Sequence, residues 1–545
     1  MQFTYDDAYK GGRDAARTQR GVVMNRIAML LAAVSAAALI STAAEAKTVR
    51  WSAPTDIATL DPFAQTESFT TSMLHHVFDP LVRRGRTMQL EPALATSWKT
   101  VKPDTWRFEL RKGVKFHNGN AFTADDVVAS VTRLLDPGAR ARGNLSQVIR
   151  AEKVDDFTVD LVTKGPYPLL LNDLAGIYIM DKEWMEQTGS LKPGNIATGV
   201  STAASTTAIG TGPFKLESFK PDAGTNMVVN PDWWDKPEHN ITRIEFKPIK
   251  SDATRVAALL SGELDLIAPA PLQDLARIGA NSAFKVIEEP SLRLIFLGLS
   301  QRDELKSMPG EKNPLKDLKV RQALWQGIDL DAIQKRVMRG KSQNTGTLVA
   351  PPVPGYDKAN DTLPGYSADK AKALLAEAGY PNGFKLGLNC PNDRYINDEA
   401  ICVAVAAMWS RIGVQTDVKT ESRATYFPKQ DRGEFDSFML GWATLPPMDG
   451  FSVLSALLTA PKDGFGGSNP MGYTNPEIER LTREAAVELD EPKRRAMMVQ
   501  ALKVAKDTIA YIPLHLQPVA WASRQGLDVP QFPDEYVRLW FAQVK

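Results

Sequence analysis

The stretch TWRFELRKGVKF (residues 105–116), followed by TADDVVASVTRLL (residues 123–135), decides the fold class. The first segment alternates apolar and polar side chains over its first half and turns at Gly113, which predicts a half-buried strand. The second has Thr123 as a helix cap, two aspartates in its first turn, and valines and leucines on one helical face. A strand followed by an amphipathic helix indicates an α/β protein.

The same alternation continues toward the C-terminus. Residues 251–267 predict a capped helix followed by a short buried strand, and residues 317–338 predict two helical segments. A further helix is predicted over residues 367–380, ended by a glycine. Asn397 is predicted to cap another helix, which starts just before the second cysteine of the chain. The α/β interpretation therefore applies to most of the chain.

An apolar run, IAMLLAAVSAAALI at residues 27–40, follows a short start with one positive charge at Arg26 and ends in AEA. This order is typical of a secretory signal peptide. The run is shorter than the ~20 apolar residues of a spanning helix, although a short membrane anchor is the alternative. We predict cleavage after Ala46 and export to the periplasm; the start codon is either Met1 or Met24.

The length and charge of the mature part, residues 47–545, limit the function classes. A chain of this length predicts two or more packed units, because single cores stop growing at roughly 250–300 residues. Cleavage removes five of the 65 basic and four of the 64 acidic residues and leaves 60 of each. This neutral balance gives no support to nucleic-acid binding, which favours a basic face.

The two cysteines of the chain, Cys390 and Cys402, lie in NCPNDRYINDEAIC at residues 389–402. In an oxidising compartment an even number of cysteines usually pairs, and a short closed loop adds about 3 kcal/mol of stability in the chain-entropy model. A zinc site would need four ligands, and the five histidines lie far away in the sequence. We predict a local disulfide that would pin the connecting loop and the direction of Arg394.

Several sequence segments, which we call family phrases, resemble one protein family and follow one another along the chain in that family's order. EPALATSWK…DTWRFELRKGVKFHNGNAFTADDVVASV (residues 91–131) strongly resembles the signature region of the family 5 solute-binding proteins of ABC importers. GTGPFKLESF (210–219), NPDWWD (230–235) and YTNPEIERL (473–481) follow in the family's order. The family includes receptors for dipeptides, oligopeptides, glutathione, opines and nickel. The ordered set is specific for the family and leaves the ligand open.

The resemblance implies a two-lobed periplasmic-binding-protein fold (type II, cluster C-like). Lobe I would comprise residues 47–290, with an inserted subdomain at about 90–209, and a C-terminal tail, residues 508–545, that returns to it. Lobe II would comprise residues 291–507, and two crossing strands near these limits would act as the hinge. The protein would be a monomer without cofactor that closes around a solute and delivers it to a membrane permease with its ATPase.

The resemblance also implies ligand-binding residues. In dipeptide receptors of the family, an arginine on a strand-to-helix loop takes the ligand's carboxylate; the matching residue is Arg394, although most loop arginines are only solvated. The family's amine-binding aspartate follows Gly-Trp. Here Leu445 holds that position and the first acid is Asp449, so either Asp449 binds the amine or this clamp is missing. Trp442 is predicted to line the cleft, with a core position as the alternative, and Phe63 to face the ligand from lobe I.

The predicted ligand is a short peptide or a peptide-like solute. Opines, glutathione-like peptides, sugars and a chelated metal are the alternatives within the family. His75 and His76 are neighbours that would point about 100° apart on a helix, so no metal site is predicted. The chain has no G-x-S-x-G or H-E-x-x-H motif, and GKS at residues 340–342 lacks the first glycine of a P-loop. We predict no enzyme; an exported two-domain hydrolase is the remote alternative.

Overall fold

The computed structural model describes residues 47–392, 394–445 and 447–545. The predicted signal peptide and its cleavage after Ala46 lie outside these residues. Residues Val49–Lys545 pack as one unit. In the described ranges, no helix has both the length and the apolar character that crossing a bilayer requires.

Strands and helices alternate along the chain, which confirms the α/β class. The strands are β1 (Thr48–Ser52), β2 (Val82–Arg84), β3 (Leu90–Pro92), β4 (Ala95–Lys102), β5 (Thr105–Leu110), β6 (Val148–Asp155), β7 (Thr158–Thr163), β8 (Phe214–Lys220), β9 (Gly224–Val229), β10 (Arg243–Phe246), β11 (Leu266–Ile267), β12 (Phe284–Leu299), β13 (Gln343–Asn344), β14 (Lys385–Pro391), β15 (Gln415–Glu421), β16 (Ser437–Ala443), β17 (Tyr511–Arg524), β18 (Leu527–Asp528) and β19 (Gln543–Val544).

The α-helices complete the architecture, and a π-helical turn (Ile333–Val337) extends one of them. They are α1 (Ser68–Leu74), α2 (Ala124–Leu135), α3 (Leu170–Leu174), α4 (Lys182–Gln187), α5 (Asp252–Leu260), α6 (Leu275–Gly279), α7 (Leu318–Gln326), α8 (Leu330–Ala332), α9 (Ala368–Glu377), α10 (Asp398–Arg411), α11 (Arg423–Asp431), α12 (Phe451–Leu457), α13 (Pro476–Ala485) and α14 (Glu491–Asp507).

The main sheet has eleven strands, with two long antiparallel strands, β12 and β17, at its centre. Its order is β15-β14-β16-β12-β17-β11-β1-β10-β9-β8, and β13 also pairs with β17. The strands on one side of the central pair belong to the predicted lobe II, and those on the other side to the predicted lobe I. The pairing of β12 with β17 shifts in register between Pro290 and Leu294. The central pair thus joins both predicted lobes, and the exact lobe limits stay a prediction.

A β14–α10–β15–α11–β16 unit forms the lobe II side of this sheet. Strand β14 pairs in parallel with both β15 and β16. The carboxyl ends of parallel strands meet at one edge of a sheet, where ligands of α/β proteins usually bind. The loops after β14 and β16 lie at this edge, and they carry Arg394, Leu445 and Asp449.

A second, four-stranded sheet of order β4-β5-β7-β6 lies within the predicted inserted subdomain. The strand predicted from residues 105–116 is present as β5 and ends at Leu110. Helix α2 follows it, begun by Thr123, whose side chain and that of Asp126 form a capping box. Its apolar stripe, including Val127 and Val131, is fully buried. The local predictions for this region are therefore confirmed, apart from the strand's last residues, which form a turn instead.

Helix α10 packs its predicted stripe into the lobe II core. Ile401 and Val405 are fully buried there. The predicted disulfide is confirmed: Cys390 at the end of β14 is bonded to Cys402 in the first turns of α10, with the two Cα atoms 6.6 Å apart. Both cysteines are fully buried. The bond ties the start of α10 to the strand before it and closes the loop that carries Arg394.

Candidate functional site

A cavity of about 650 Å³ lies between segments of the two predicted lobes. Its volume is in the usual range for small-molecule sites. The predicted lobe I contributes wall residues from five segments of the chain, residues 51–55, 66–72, 268–272, 517–521 and 534–537. The predicted lobe II contributes Arg293, Arg394, Ile396 and Leu445. A solute in this cavity would therefore touch both sides of the central strand pair.

Arg394 lines this cavity, and its loop is held by more than the disulfide. The backbone N–H groups of Arg394 and Tyr395 both donate to Asp398 Oδ2, each at 3.0 Å. The N–H of Ile396 donates to Gln517 Oε1 on β17 at 3.2 Å. Asn397 adopts a left-handed conformation (φ 57°) and does not cap α10 with its side chain. The predicted Asn397 cap is therefore wrong, and Asp398, the first residue of α10, instead holds the loop that precedes the helix.

The Arg394 guanidinium lies over the ring of Tyr395, with 5.1 Å between its carbon and the ring centre. Tyr395 packs against β16, where its hydroxyl donates to the carbonyl of Gly441 at 3.3 Å. A Cβ atom at Gly441 would lie 2.5 Å from the ring, so only glycine fits here without movement. Burial raises the pKa of Tyr395 and keeps the phenol neutral. The ring is a fixed platform for the guanidinium.

Arg293 is a second guanidinium on this cavity wall, which the sequence analysis missed. It lies on β12 opposite Ala443 of β16 and is half-buried. No carboxylate in the described ranges forms an ion pair with it. The available signal was a single charged residue in the otherwise apolar run SLRLIFLGL at residues 291–299. A charged side chain in a central strand needs a partner or a polar opening, and here the cavity supplies the opening.

A side cavity of about 160 Å³ adjoins the larger one and shares Thr66, Ser68, Leu445 and Tyr536 with it. Phe63 lines this side cavity rather than the larger one. We call the two spaces the main cavity and the side cavity. Because four residues border both, one solute can extend from the first into the second.

A buried ion pair positions Phe63. Asp61 accepts two hydrogen bonds from the guanidinium of Arg133, at 2.7 and 2.6 Å, and both side chains are almost fully buried. Asp61 also accepts the backbone N–H of Phe63 at 3.0 Å. The Arg133 guanidinium lies 5.5 Å from the centre of the Phe63 ring. Helix α2 therefore holds the wall of the side cavity through Arg133.

Three carboxylates border the main cavity on its lobe I side. Glu67 caps α1 by accepting the N–H groups of Phe69 (2.9 Å) and Thr70 (2.7 Å). Asp534 is held by Arg538 in a two-point ion pair at 2.8 and 2.6 Å. Glu535 is exposed at the edge of the cavity. The lobe I side is thus acidic, whereas the lobe II side carries two arginines.

The structure places Asp449 and Trp442 away from the main cavity. Asp449 is 1% exposed, and both its oxygens accept from Arg494 of α14, at 2.8 and 3.0 Å. It borders a different cavity, of about 550 Å³. The half-buried Trp442 packs on the large apolar core and donates to Ser452 Oγ at 3.4 Å. Leu445, at the family's aspartate position, is the residue of this loop that lines the main cavity.

The histidine pair serves packing. His75 contacts Tyr178 edge-on with 4.9 Å between ring centres, and His76 contacts Trp540 at 5.2 Å. Burial lowers the pKa of His76 to about 4, so the ring is neutral at physiological pH. Over the described part of the chain, no three His, Cys, Asp or Glu side chains cluster as metal ligands would.

Comparison with known proteins identifies the family. Residues 89–465 match the family model described as "Bacterial extracellular solute-binding proteins, family 5 Middle". The chain belongs to this family. It is 30% identical to heme-binding protein A of Haemophilus influenzae over 80% of this chain and 81% of that protein. It is also 30% identical to the dipeptide-binding protein of Escherichia coli K12, over 77% of this chain and 80% of the relative.

The fold agrees with this assignment. The structure of HbpA2 from Haemophilus parasuis superposes with a TM-score of 0.80 at 26% identity and covers 91% of this chain and all of that one. The two-lobed fold predicted from the resemblance is therefore confirmed. This family 5 protein is the extracytoplasmic solute-binding component of an ABC importer.

Proposed function

We propose that this family 5 protein captures short peptides or peptide-like solutes that carry a free carboxylate. The observation that carries the proposal is the pair of guanidinium groups, Arg293 and Arg394, on one wall of the 650 Å³ main cavity. A planar guanidinium matches a carboxylate in a two-point geometry, and two of them can hold either one carboxylate or two. The dipeptide-binding relative supports the peptide class.

The rest of the main cavity suits the middle of a short peptide. Apolar side chains, Ile396 and Leu445 on one side and Val519 on the other, line it between the charged regions. Contact with these groups removes apolar surface of the peptide from water, which stabilises the complex by about 25 cal/mol for each Å² buried. Micromolar binding, about 8 kcal/mol, would suffice for an importer and could come from the charged ends plus this burial.

The proposed mechanism is closure of the two lobes around the solute. A ligand that contacts both lobes binds the closed form better than the open form and shifts the population toward it. The long central strands β12 and β17 are the candidate hinge, because β12 crosses the predicted lobe limit at residues 290–291 and β17 pairs with it on both sides of that limit. The closed protein, a monomer, would dock on its permease, and a separate ATPase would drive import. The mature protein would act in the periplasm after cleavage at Ala46, without altering the solute.

Calorimetric titration of purified protein with a set of di- to tetrapeptides tests the proposal. Replacing Arg394 or Arg293 by Ala is expected to weaken binding by about 2 kcal/mol or more, mainly through faster dissociation. Arg411→Ala, which removes an exposed arginine from the end of α10, is the matched control and is expected to leave affinity unchanged.

Peptide amides, which lack the carboxylate, supply the second arm of the test. They should bind weakly to the wild-type protein, and Arg394→Ala should not weaken their binding further. The amide group and the substitution each remove the same contact, so their effects do not add. Equal binding of acids and amides would overturn the carboxylate role. Consumption of the peptide during the titration would instead support the hydrolase alternative.

A dicarboxylate, such as a glutathione-like peptide or an opine, is a second candidate, which the presence of two arginines favours. If so, each arginine variant should reduce affinity for the dicarboxylate more than for a monocarboxylate peptide. Haem, named for the Haemophilus influenzae relative, has less support. Haem iron in proteins is held by His, Cys, Met or Tyr, and the main-cavity wall, as far as the structure describes it, offers only Tyr536. Burial raises the pKa of that phenol, so it stays protonated.

A further inference from the structure

The side cavity contains a carboxylate with an unusual environment. Asp173 lies on the short helix α3 and is half-buried in the wall of this cavity. The hydroxyl of Tyr167 donates to its carboxylate. No lysine, arginine or histidine of the described ranges forms an ion pair with Asp173. A partly desolvated carboxylate without a cation is costly, so it either binds a proton or awaits a cationic partner.

The groups around Asp173 do not neutralise it. The acid whose charge acts on Asp173 is Asp449, which is itself paired with Arg494. Tyr178, which also lines the side cavity, donates its hydroxyl to the carbonyl of Thr71 at 2.7 Å and not to the carboxylate. Burial, opposed by the Tyr167 hydrogen bond and assisted by Asp449, raises the pKa of Asp173 to about 7.

We propose that the side cavity takes the cationic group of the solute and that Asp173 binds it. This inference rests on the proposed function: the carboxylate of a zwitterion would lie at Arg394 and Arg293, and its ammonium group would lie in the adjoining side cavity. The four shared wall residues make one continuous path between them. Asp173 would thus supply, from the opposite lobe, the amine clamp that Leu445 cannot provide.

Asp173 is favoured over the other acids at the site. Glu67 already accepts two N–H groups of α1, Asp534 is held by Arg538, and Glu535 is exposed. An exposed ion pair is worth little because water and salt screen it, whereas a pair in a partly desolvated side cavity is screened much less. The cavity of about 160 Å³ has room for a short alkylammonium group, since a single water needs only roughly 10–15 Å³ on the same measure.

The test compares Ala-Ala, N-acetyl-Ala-Ala and N-acetyl-Ala-Lys by calorimetry on the full mature protein. A free N-terminal amine is present only in the first, and a side-chain ammonium only in the third, so the set distinguishes the two sources of the cation. Acetylation of Ala-Ala is expected to weaken binding at least tenfold. Recovery of affinity with N-acetyl-Ala-Lys would assign the side cavity to a basic side chain.

Asp173→Asn keeps an oxygen that can accept the Tyr167 hydroxyl and removes the charge. The substitution is expected to lower the affinity for the amine-bearing probe at least tenfold and the affinity for the acetylated probe less than twofold. Glu183→Gln, an exposed charge removal in the same subdomain, is the control. Equal losses for both probes would indicate a structural role and overturn the inference, as would no loss for either.

The pH dependence gives a readout that a structural role would not change. A bound ammonium favours the ionised carboxylate, so affinity for the amine-bearing probe should rise as pH increases from about 5 to about 7, through the raised pKa of Asp173. Above about pH 8 the affinity should fall again, because the α-amino group of the probe loses its proton. Asp173→Asn should abolish this rise. If acetylated and free peptides bind equally, the peptide function stands and the inference fails. If no peptide binds at all, the proposed function fails, and the inference with it.

Discussion

Arg394 and Asp449 follow two neighbouring parallel strands, β14 and β16, at the same edge of the sheet. Both were predicted to bind the charged ends of a solute, Arg394 its carboxylate and Asp449 its amine. Arg394 lines the main cavity. Asp449 is buried in a two-point ion pair with Arg494 and borders a different space.

The difference teaches that topological position alone does not make a side chain available to a ligand. What separates the two residues is the element that packs against each loop. Helix α14 brings Arg494 onto Asp449 and neutralises it. The Arg394 guanidinium instead lies over the ring of Tyr395 and lines the main cavity.

The largest expected effect comes from Asp449→Ala. It leaves the guanidinium of Arg494 buried without its partner, which should cost about 4 kcal/mol in the free energy of unfolding. Urea denaturation measures this loss, and peptide affinity at low temperature should stay unchanged. Glu484→Ala, in the exposed Arg480–Glu484 pair, is the control and should cost about 0.5 kcal/mol or less. A stable variant with lost peptide affinity would restore Asp449 as the amine clamp.

The next effect is expected from the double variant Cys390→Ser, Cys402→Ser. Opening the disulfide should lower the free energy of unfolding by about 3 kcal/mol and loosen the Arg394 loop, so that carboxylate binding weakens as well. Chemical denaturation and calorimetry measure the two effects, and wild-type protein treated with reductant under denaturing conditions is the control. Full stability together with full affinity would mean that Asp398 alone holds the loop.

Gly441→Ala should destabilise the protein by about 2 kcal/mol, because its Cβ would collide with Tyr395. Displacing that ring should also move the Arg394 guanidinium and weaken binding of peptides with a free carboxylate. Gly387→Ala on β14 is the matched control, since its Cβ would meet only Asp436 Oδ2 at an ordinary 3.5 Å. Thermal unfolding and calorimetry on both variants measure the difference; similar results for both would remove Tyr395 as a platform.

The smallest effect is expected from Trp442→Phe. The indole donates a long hydrogen bond to Ser452 and packs on the core, so its loss should cost less than about 1 kcal/mol and change peptide affinity less than twofold. Calorimetry provides the measurement. A tenfold loss of affinity would instead return Trp442 to the binding site, as the sequence analysis predicted.

Local features were accessible from the sequence because short-range physics determines them. The Thr123 cap and the buried stripe of α2 depend on residues within one or two turns of each other. The disulfide joins cysteines only 12 positions apart. The family phrases, most of which lie within the residues 89–465 that the family model matches, then implied the two-lobed arrangement.

The site was only partly accessible, because its contacts join residues far apart in the chain. Arg293 and Arg394 meet on one wall through the pairing of β12, β16 and β14, which no local pattern reveals. Asp449 lies 45 positions from the arginine that neutralises it. Asp173 could not be singled out from the sequence, because an aspartate on a short helix carries no local signal.

The sequence by itself determined the α/β class, the family, the disulfide and the candidate carboxylate clamp at Arg394. Only the tertiary structure decided that Arg293 lines the same cavity as Arg394, that Leu445 lines it too, and that Asp449 is paired elsewhere. The physical reason is that periodicity and capping act over a few residues. Whether a charge is available depends instead on which distant side chain packs beside it.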